Sequence, residues 1–176
     1  MIVRDMAAAA VSMAEAQAYA RVETGEEEAL LAGLVRSASA LCEAFTGQVL
    51  VVREFAEMIA ASGEWQRLTL NPVRSIDLVE AVAADGSAAV LPASDYAVDI
   101  DARGDGWVRI VGAIDGRIRV SGQAGMASDA NGVPEPLRQG ILRLVAHLFA
   151  TRDGGDGEPP AAVTALWRPY RRMRLA

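Results

Sequence analysis

The period of hydrophobic and polar positions changes twice along this chain. Ser12-Met13-Ala14-Glu15 has the form of a capping box, in which Ser12 accepts from the Glu15 amide and the Glu15 carboxylate reaches back to the Ser12 amide. A short helix to about Arg21 follows. After Thr24-Gly25, the run Glu26, Glu27, Glu28 puts negative charge at the positive end of a helix dipole and favours initiation there. Leu30, Leu31, Leu34, Val35, Ala38, Leu41, Cys42 and Phe45 then recur at helical spacing. They predict one apolar arc about 140° wide, stopped by Gly47.

The middle of the chain alternates with a period of two, in short runs separated by turn residues, as antiparallel strands do. Strands are expected near Val49–Ile59, Trp65–Leu70, Ile76–Ala83, Ala88–Leu91, Tyr96–Ile100, Trp107–Val111 and Arg117–Ser121. Asp85-Gly86, Asp105-Gly106 and Asp115-Gly116 supply turn signals between them, and Asn71-Pro72 ends a strand because proline cannot donate to a ladder. From Pro134 the period returns to 3.6, with Leu137, Ile141, Leu144, Val145 and Leu148 on one face of a helix to about Arg152. Asp153 to Pro160 has loop composition, and a last short helix, Ala161 to Trp167, leads into a basic end.

Helices, then strands, then helices give an α+β fold: a small helical bundle from the two ends of the chain, with an inserted antiparallel β domain. The expected division is an N-terminal extension (1–11), a helical core (12–47 and 134–167), a β-rich insert (48–133) and a basic C-terminal tail (168–176). At 176 residues there is little room for two independent cores.

Charge sharpens the picture. All 17 basic residues are Arg, against 23 Asp and Glu, for a net charge of -6. The nine terminal residues hold Arg168, Arg171, Arg172 and Arg174 and no acid, which leaves 13 Arg against 23 acids on the rest. An anionic body repels nucleic acid, whereas the cationic end suits an acidic partner, either DNA or protein. Charged residues break every apolar stretch well short of the roughly 20 residues a spanning helix needs, so no membrane association is expected. The N-terminus lacks the apolar block of a secretory signal, and Cys42 is the only cysteine; both suit a cytoplasmic protein.

Candidate chemistry is sparse. His147, the only histidine, sits at the edge of an apolar helix face with no nucleophile in a recognisable motif, and reads as structural. Cys42 lies inside an apolar arc and reads as a small core residue. One Cys and one His exclude the usual zinc sites, and the absence of Lys excludes a P-loop. Asp99, Asp101 and Asp105 suggest a calcium loop, but Arg103 and Ile110 occupy ligand positions, so a hairpin turn is the better reading. Arg103-Gly104-Asp105 spells an adhesion tripeptide by chance. Glu54 and Glu57, three apart in a strand, face opposite ways and cannot act as a pair. No enzymatic activity and no cofactor or metal are expected. Trp65 and Trp107 read as core or interface aromatics. By contrast, Trp167, Arg168, Tyr170, Arg171, Arg172 and Arg174 combine the residue types enriched at interface hot spots, and read as a docking segment.

The order of these features resembles a family, the head-to-tail connector (adaptor) proteins of long-tailed phages, prophages and gene-transfer agents. The likeness is carried by Ser12 to Val22 with the following helix ending in Glu43-Ala44-Phe45-Thr46-Gly47, and by Leu70-Asn71-Pro72-Val73-Arg74-Ser75-Ile76 with Asp85-Gly86 and Ala93-Ser94-Asp95-Tyr96 downstream. The strand exit Ser121-Gly122-Gln123-Ala124-Gly125 continues it. The stretch from Val133-Pro134-Glu135-Pro136-Leu137 through His147-Leu148 to Arg152, closed by Leu166-Trp167-Arg168-Pro169-Tyr170-Arg171, completes it. Residues 1–11 lie outside it. The resemblance implies a structural subunit of a homo-dodecameric ring in the neck of a virion or phage-like particle, assembled in the bacterial cytoplasm. Its partners would be the portal protein, a tail-completion or stopper protein and copies of itself, with DNA only in transit through an anionic lumen. The β insert would face the tail. The cationic tail then becomes the arm for an acidic groove on the portal. The alternative is a DNA-binding module that uses the same tail.

Overall fold

The computed structural model describes residues 2–4, 9–22, 27–151 and 159–172. Thr24-Gly25 and Glu26, the loop residues 153–158, Arg152, and Arg174 with the rest of 173–176 lie outside the described residues, as do residues 1 and 5–8 of the N-terminal extension. Among the described residues, four α-helices and two antiparallel sheets make the fold α+β, as the change of period predicts. Against the expectation from its length, the chain divides into two compact units, residues 7–51 with 126–176 and residues 1–6 with 52–125.

The first unit is helical. Helix α1 (Met13–Ala20) opens on the expected capping box: the Glu15 amide donates to Ser12 Oγ at 3.2 Å, and the Ser12 amide donates to the Glu15 carboxylate at 2.8 Å. Helix α2 (Glu28–Thr46) ends at Gly47, whose φ of 70° is the left-handed cap glycine adopts without strain. Helices α3 (Glu135–Ala150) and α4 (Ala161–Trp167) complete the bundle, and a 3₁₀ turn, Arg168–Tyr170, follows α4 directly. Leu31, Val35, Cys42, Leu137, Ile141, Leu144, Val163 and Trp167 form its core.

Two expectations are corrected in this unit. The buried arc of α2 is Leu31, Val35, Ala38, Ser39, Cys42 and Thr46, whereas Leu30 and Leu41 are 43% and 46% exposed. Helices α1, α3 and α4 pack on one side of α2, so leucines on its flank stay in solvent. Thr46 tolerates burial because its hydroxyl donates to Cys42 O at 2.8 Å. Secondly, Val49, Leu50 and Val51 do not begin a strand of the β unit. All three are buried; Val49 O and Leu50 O accept from the Met126 and Ala127 amides, and Leu50 and Val51 pack into the helical core. The extension also takes part in structure, with Ala10 and Val11 1% exposed in this core.

The second unit is all β. Strands β1 (Ile2–Arg4), β2 (Arg53–Ala60), β4 (Val73–Val82), β5 (Ala88–Val90) and β8 (Arg117–Ala124) form one sheet in the order β1-β2-β8-β4-β5; β3 (Gln66–Arg67), β6 (Tyr96–Ile100) and β7 (Gly106–Ile110) form a second in the order β3-β7-β6. Every strand pair is antiparallel. The seven expected strands are present with shifted ends, and β1 is an addition. The turn between β6 and β7 differs from expectation. Gly104, at φ 76°, makes it, while Gly106 lies within β7. Asp101 Oδ1 accepts from the amides of Arg103 and Asp105 at 2.8 and 3.0 Å, so this acidic stretch is an Asx-capped hairpin. Glu54 is exposed and Glu57 buried, on opposite faces of β2. Glu57 is satisfied by Thr69, whose amide and hydroxyl donate to it at 2.9 and 2.5 Å.

Candidate docking site at the carboxyl-terminal segment

The site is built on the crossing of α3 and α4. Trp167 closes α4 and is 2% exposed; its indole N–H donates to Leu137 O at 3.3 Å. Gly140 makes room for it: a Cβ there would stand 2.1 Å from Trp167 Nε1, so a glycine is required where the indole crosses α3. On another side the indole meets Phe45 in the last turn of α2, with ring centroids 5.9 Å apart and planes tilted by 54°. This corrects one sequence expectation. Trp167 is not an outward anchor, because its own core consumes both its ring and its N–H.

Beyond Trp167 the chain folds back on the C-terminus of α2. The Arg172 amide donates to Thr46 O at 2.9 Å, Gln48 Nε2 donates to Tyr170 O at 2.6 Å, and the Arg171 guanidinium lies 5.6 Å from the Phe45 ring centroid. Each contact has a physical reason. The last carbonyls of a helix lack intrahelical partners, and its C-terminal end carries partial negative charge that favours cations. The segment is thereby fixed in place while Arg168 and Arg171 remain exposed and Tyr170 and Arg172 are half-buried. Arg174 lies outside the described residues.

Elsewhere, the candidate chemical groups are placed apart. His147 is half-buried in the last turn of α3. Burial, and secondarily the charge of Glu43, pushes the Cys42 thiol up to about 12, which leaves it protonated and inert. Among the described residues no three His, Cys, Asp or Glu converge on a metal-sized site. Trp65 is 43% exposed and Trp107 half-buried; the Arg109 guanidinium sits 4.9 Å above the Trp65 ring. The role of Gly140 is the feature the sequence reading missed. The Val163/Trp167 pair at i, i+4 in α4 is the signal that would have placed Trp167 inward.

No protein-family model and no curated protein matches the chain. Solved structures do. A chain in the neck of an empty gene transfer agent (GTA) particle, computed with C6 symmetry, is 26% identical, with a TM-score of 0.79 over 100% of this chain and 97% of that one. A chain in the virion of a native GTA particle is 25% identical with the same TM-score and coverage. One in the neck of a native GTA particle computed with C12 symmetry is 22% identical, with a TM-score of 0.74. From end to end the chain shares its fold with components of gene transfer agent particles, necks included, which bears out the resemblance to head-to-tail connector proteins carried by its sequence.

Proposed function

We propose that this chain is a structural subunit of the neck of a phage-like particle, where its copies form a ring between the portal and the tail and let DNA pass. The observation that carries this reading is the match over 100% of the chain to a protein of a GTA neck at 26% identity. In this reading its work is to hold two assemblies together.

In this reading the cationic segment docks into an acidic groove of the portal. Arg168 and Arg171 supply guanidinium forks for carboxylates, with Tyr170 and Arg172 beside them, and Arg174 extends the same charge. Trp167 serves from within, as the bolt that fixes the segment to its own subunit. A preorganised segment loses less entropy on docking than a free tail would. The body, where 23 acids outnumber 13 arginines, lines the channel without retaining DNA, since its net negative charge repels the phosphates. A tail-completion or stopper protein occupies the opposite end of the ring.

The test is complementation of a deletion strain with Arg168→Glu and Arg171→Glu together. The expected product is DNA-filled heads without tails. Particles joined as in the wild type would overturn the docking role.

A further inference from the structure

Helix α2 carries a second surface that the helical core does not use. On a 100° wheel, Leu30, Gly33, Leu34, Ser37, Leu41 and Ala44 share the flank beside the buried arc, and the charged residues of the helix, Glu28, Arg36 and Glu43, all fall outside it. The flank runs roughly 21 Å, at 1.5 Å per residue. Leu30 and Leu41 are 43% and 46% exposed, Ser37 and Ala44 are exposed, and Gly33 and Leu34 are half-buried. Contrary to the expectation that charges interrupt every long apolar stretch, α2 is by length and composition apolar enough to cross a membrane, yet only 33% of its most apolar 18 residues are buried. The Arg36 guanidinium reaches the Gly33 edge, 3.9 Å from where a Cβ would stand, and the rest of the flank is a largely apolar face in solvent.

We propose that this face is the lateral contact between neighbouring copies of the chain. The proposal rests on the ring reading above and adds the surface that closes the ring. Charge selects the occupant. With a net charge of -6 two copies repel on balance, and a face whose own residues are uncharged is where they meet without juxtaposing like charges. Ser37 and Ala44 have small side chains that admit close approach, while the leucines supply apolar area. The similar GTA neck chain comes from a structure computed with C6 symmetry, that is, from an assembly whose copies repeat around an axis. A closed ring of more than two copies uses heterologous contacts, so this flank meets a different surface on its neighbour.

The experiment places a photo-crosslinking benzoylphenylalanine at Ser37 or Leu41 of the full-length chain, in particles assembled from a mixture of ¹⁴N- and ¹⁵N-labelled copies. Crosslinked peptides of mixed isotope, joining α2 to a segment of a second copy other than α2, are the expected result. Crosslinks to another particle protein, to lipid or within a single copy, or no product at either position, would overturn the lateral contact while leaving the neck assignment intact. Absence of the chain from particles would overturn the neck assignment and, with it, this inference. As a second arm, Leu41→Glu should leave the thermal midpoint of the subunit unchanged but abolish its incorporation into particles; normal incorporation counts against the proposal.

Discussion

The Arg172 amide donates to the Thr46 carbonyl at 2.9 Å, so a residue of the cationic segment closes the C-terminus of α2. The segment is therefore part of the folded helical unit as well as a candidate docking surface. Its two roles are separable at Arg168, which is exposed, whereas the inward contacts come from Trp167, the backbone and the Arg171 guanidinium over the Phe45 ring.

Gly140→Ala should destabilise the chain by about 1–3 kcal/mol, because the added methyl collides with the indole and α4 must shift. Trp167→Ala should cost more, about 3–5 kcal/mol, through the cavity it leaves. Urea unfolding followed by circular dichroism checks both. A Gly140→Ala variant as stable as the parent would mean that α3 and α4 are not in this contact.

Arg171→Ala removes a partly exposed cation from the Phe45 face and should cost about 0.5–1 kcal/mol. Arg168→Glu, at an exposed position, should leave stability unchanged. Neither the parent nor these variants should retard duplex DNA in a gel near physiological salt, given the net charge of -6. Tight, steeply salt-dependent binding lost on removing 168–176 would favour the DNA-binding alternative.

Acid should weaken the β unit through Glu80. The hydrogen bonds from Arg119, directly opposite on β8 at 2.7 and 2.9 Å, hold its carboxyl below its ordinary value of 4.5. In the helical unit Glu15 is lowered by the Ser12 amide, the Ser12 hydroxyl and then Arg138. A carboxylate whose folded value is depressed binds fewer protons folded than unfolded. Its contribution is therefore full above 4.5 and is lost as pH falls through the folded value. Thermal midpoints should hold steady from neutral pH down to about 5 and then drop, and Glu80→Gln should flatten part of the fall.

Cys42 should resist alkylation in the native protein and react at once in denaturant, since it is fully buried and its thiol is pushed up to about 12. Timed labelling with iodoacetamide, read by mass spectrometry, checks this. Rapid native labelling would show that α2 separates readily from α3.

Local signals were the legible part of the fold. The Ser12/Glu15 box, the Gly47 stop and the hairpin strands are each specified within a few residues, and the structure contains them. What escaped depends on partners distant in sequence. Ile2–Arg4 is too short to announce a strand and forms one by pairing with Phe55 to Glu57. Val49 to Val51 reads as a strand because β-branched residues dominate it, but Leu50 and Val51 pack into the helical core and the Val49 and Leu50 carbonyls accept from the Met126 and Ala127 amides. Leu30 and Leu41 fit the arc of α2 by periodicity; which part of an arc is buried depends on where the neighbouring helices lie. The inward turn of Trp167 depends on Gly140, 27 positions away in the chain. The composition of the cationic segment was plain in the sequence, whereas the contacts that fix it to α2 were not.

The most direct measurement is a cryo-EM map of the head-to-tail junction in particles assembled with this chain. The account predicts rotationally repeated copies of the fold at that junction, with Arg168 and Arg171 of each copy against carboxylates of the portal. A junction lacking the chain, or one in which both arginines face open solvent, would contradict it.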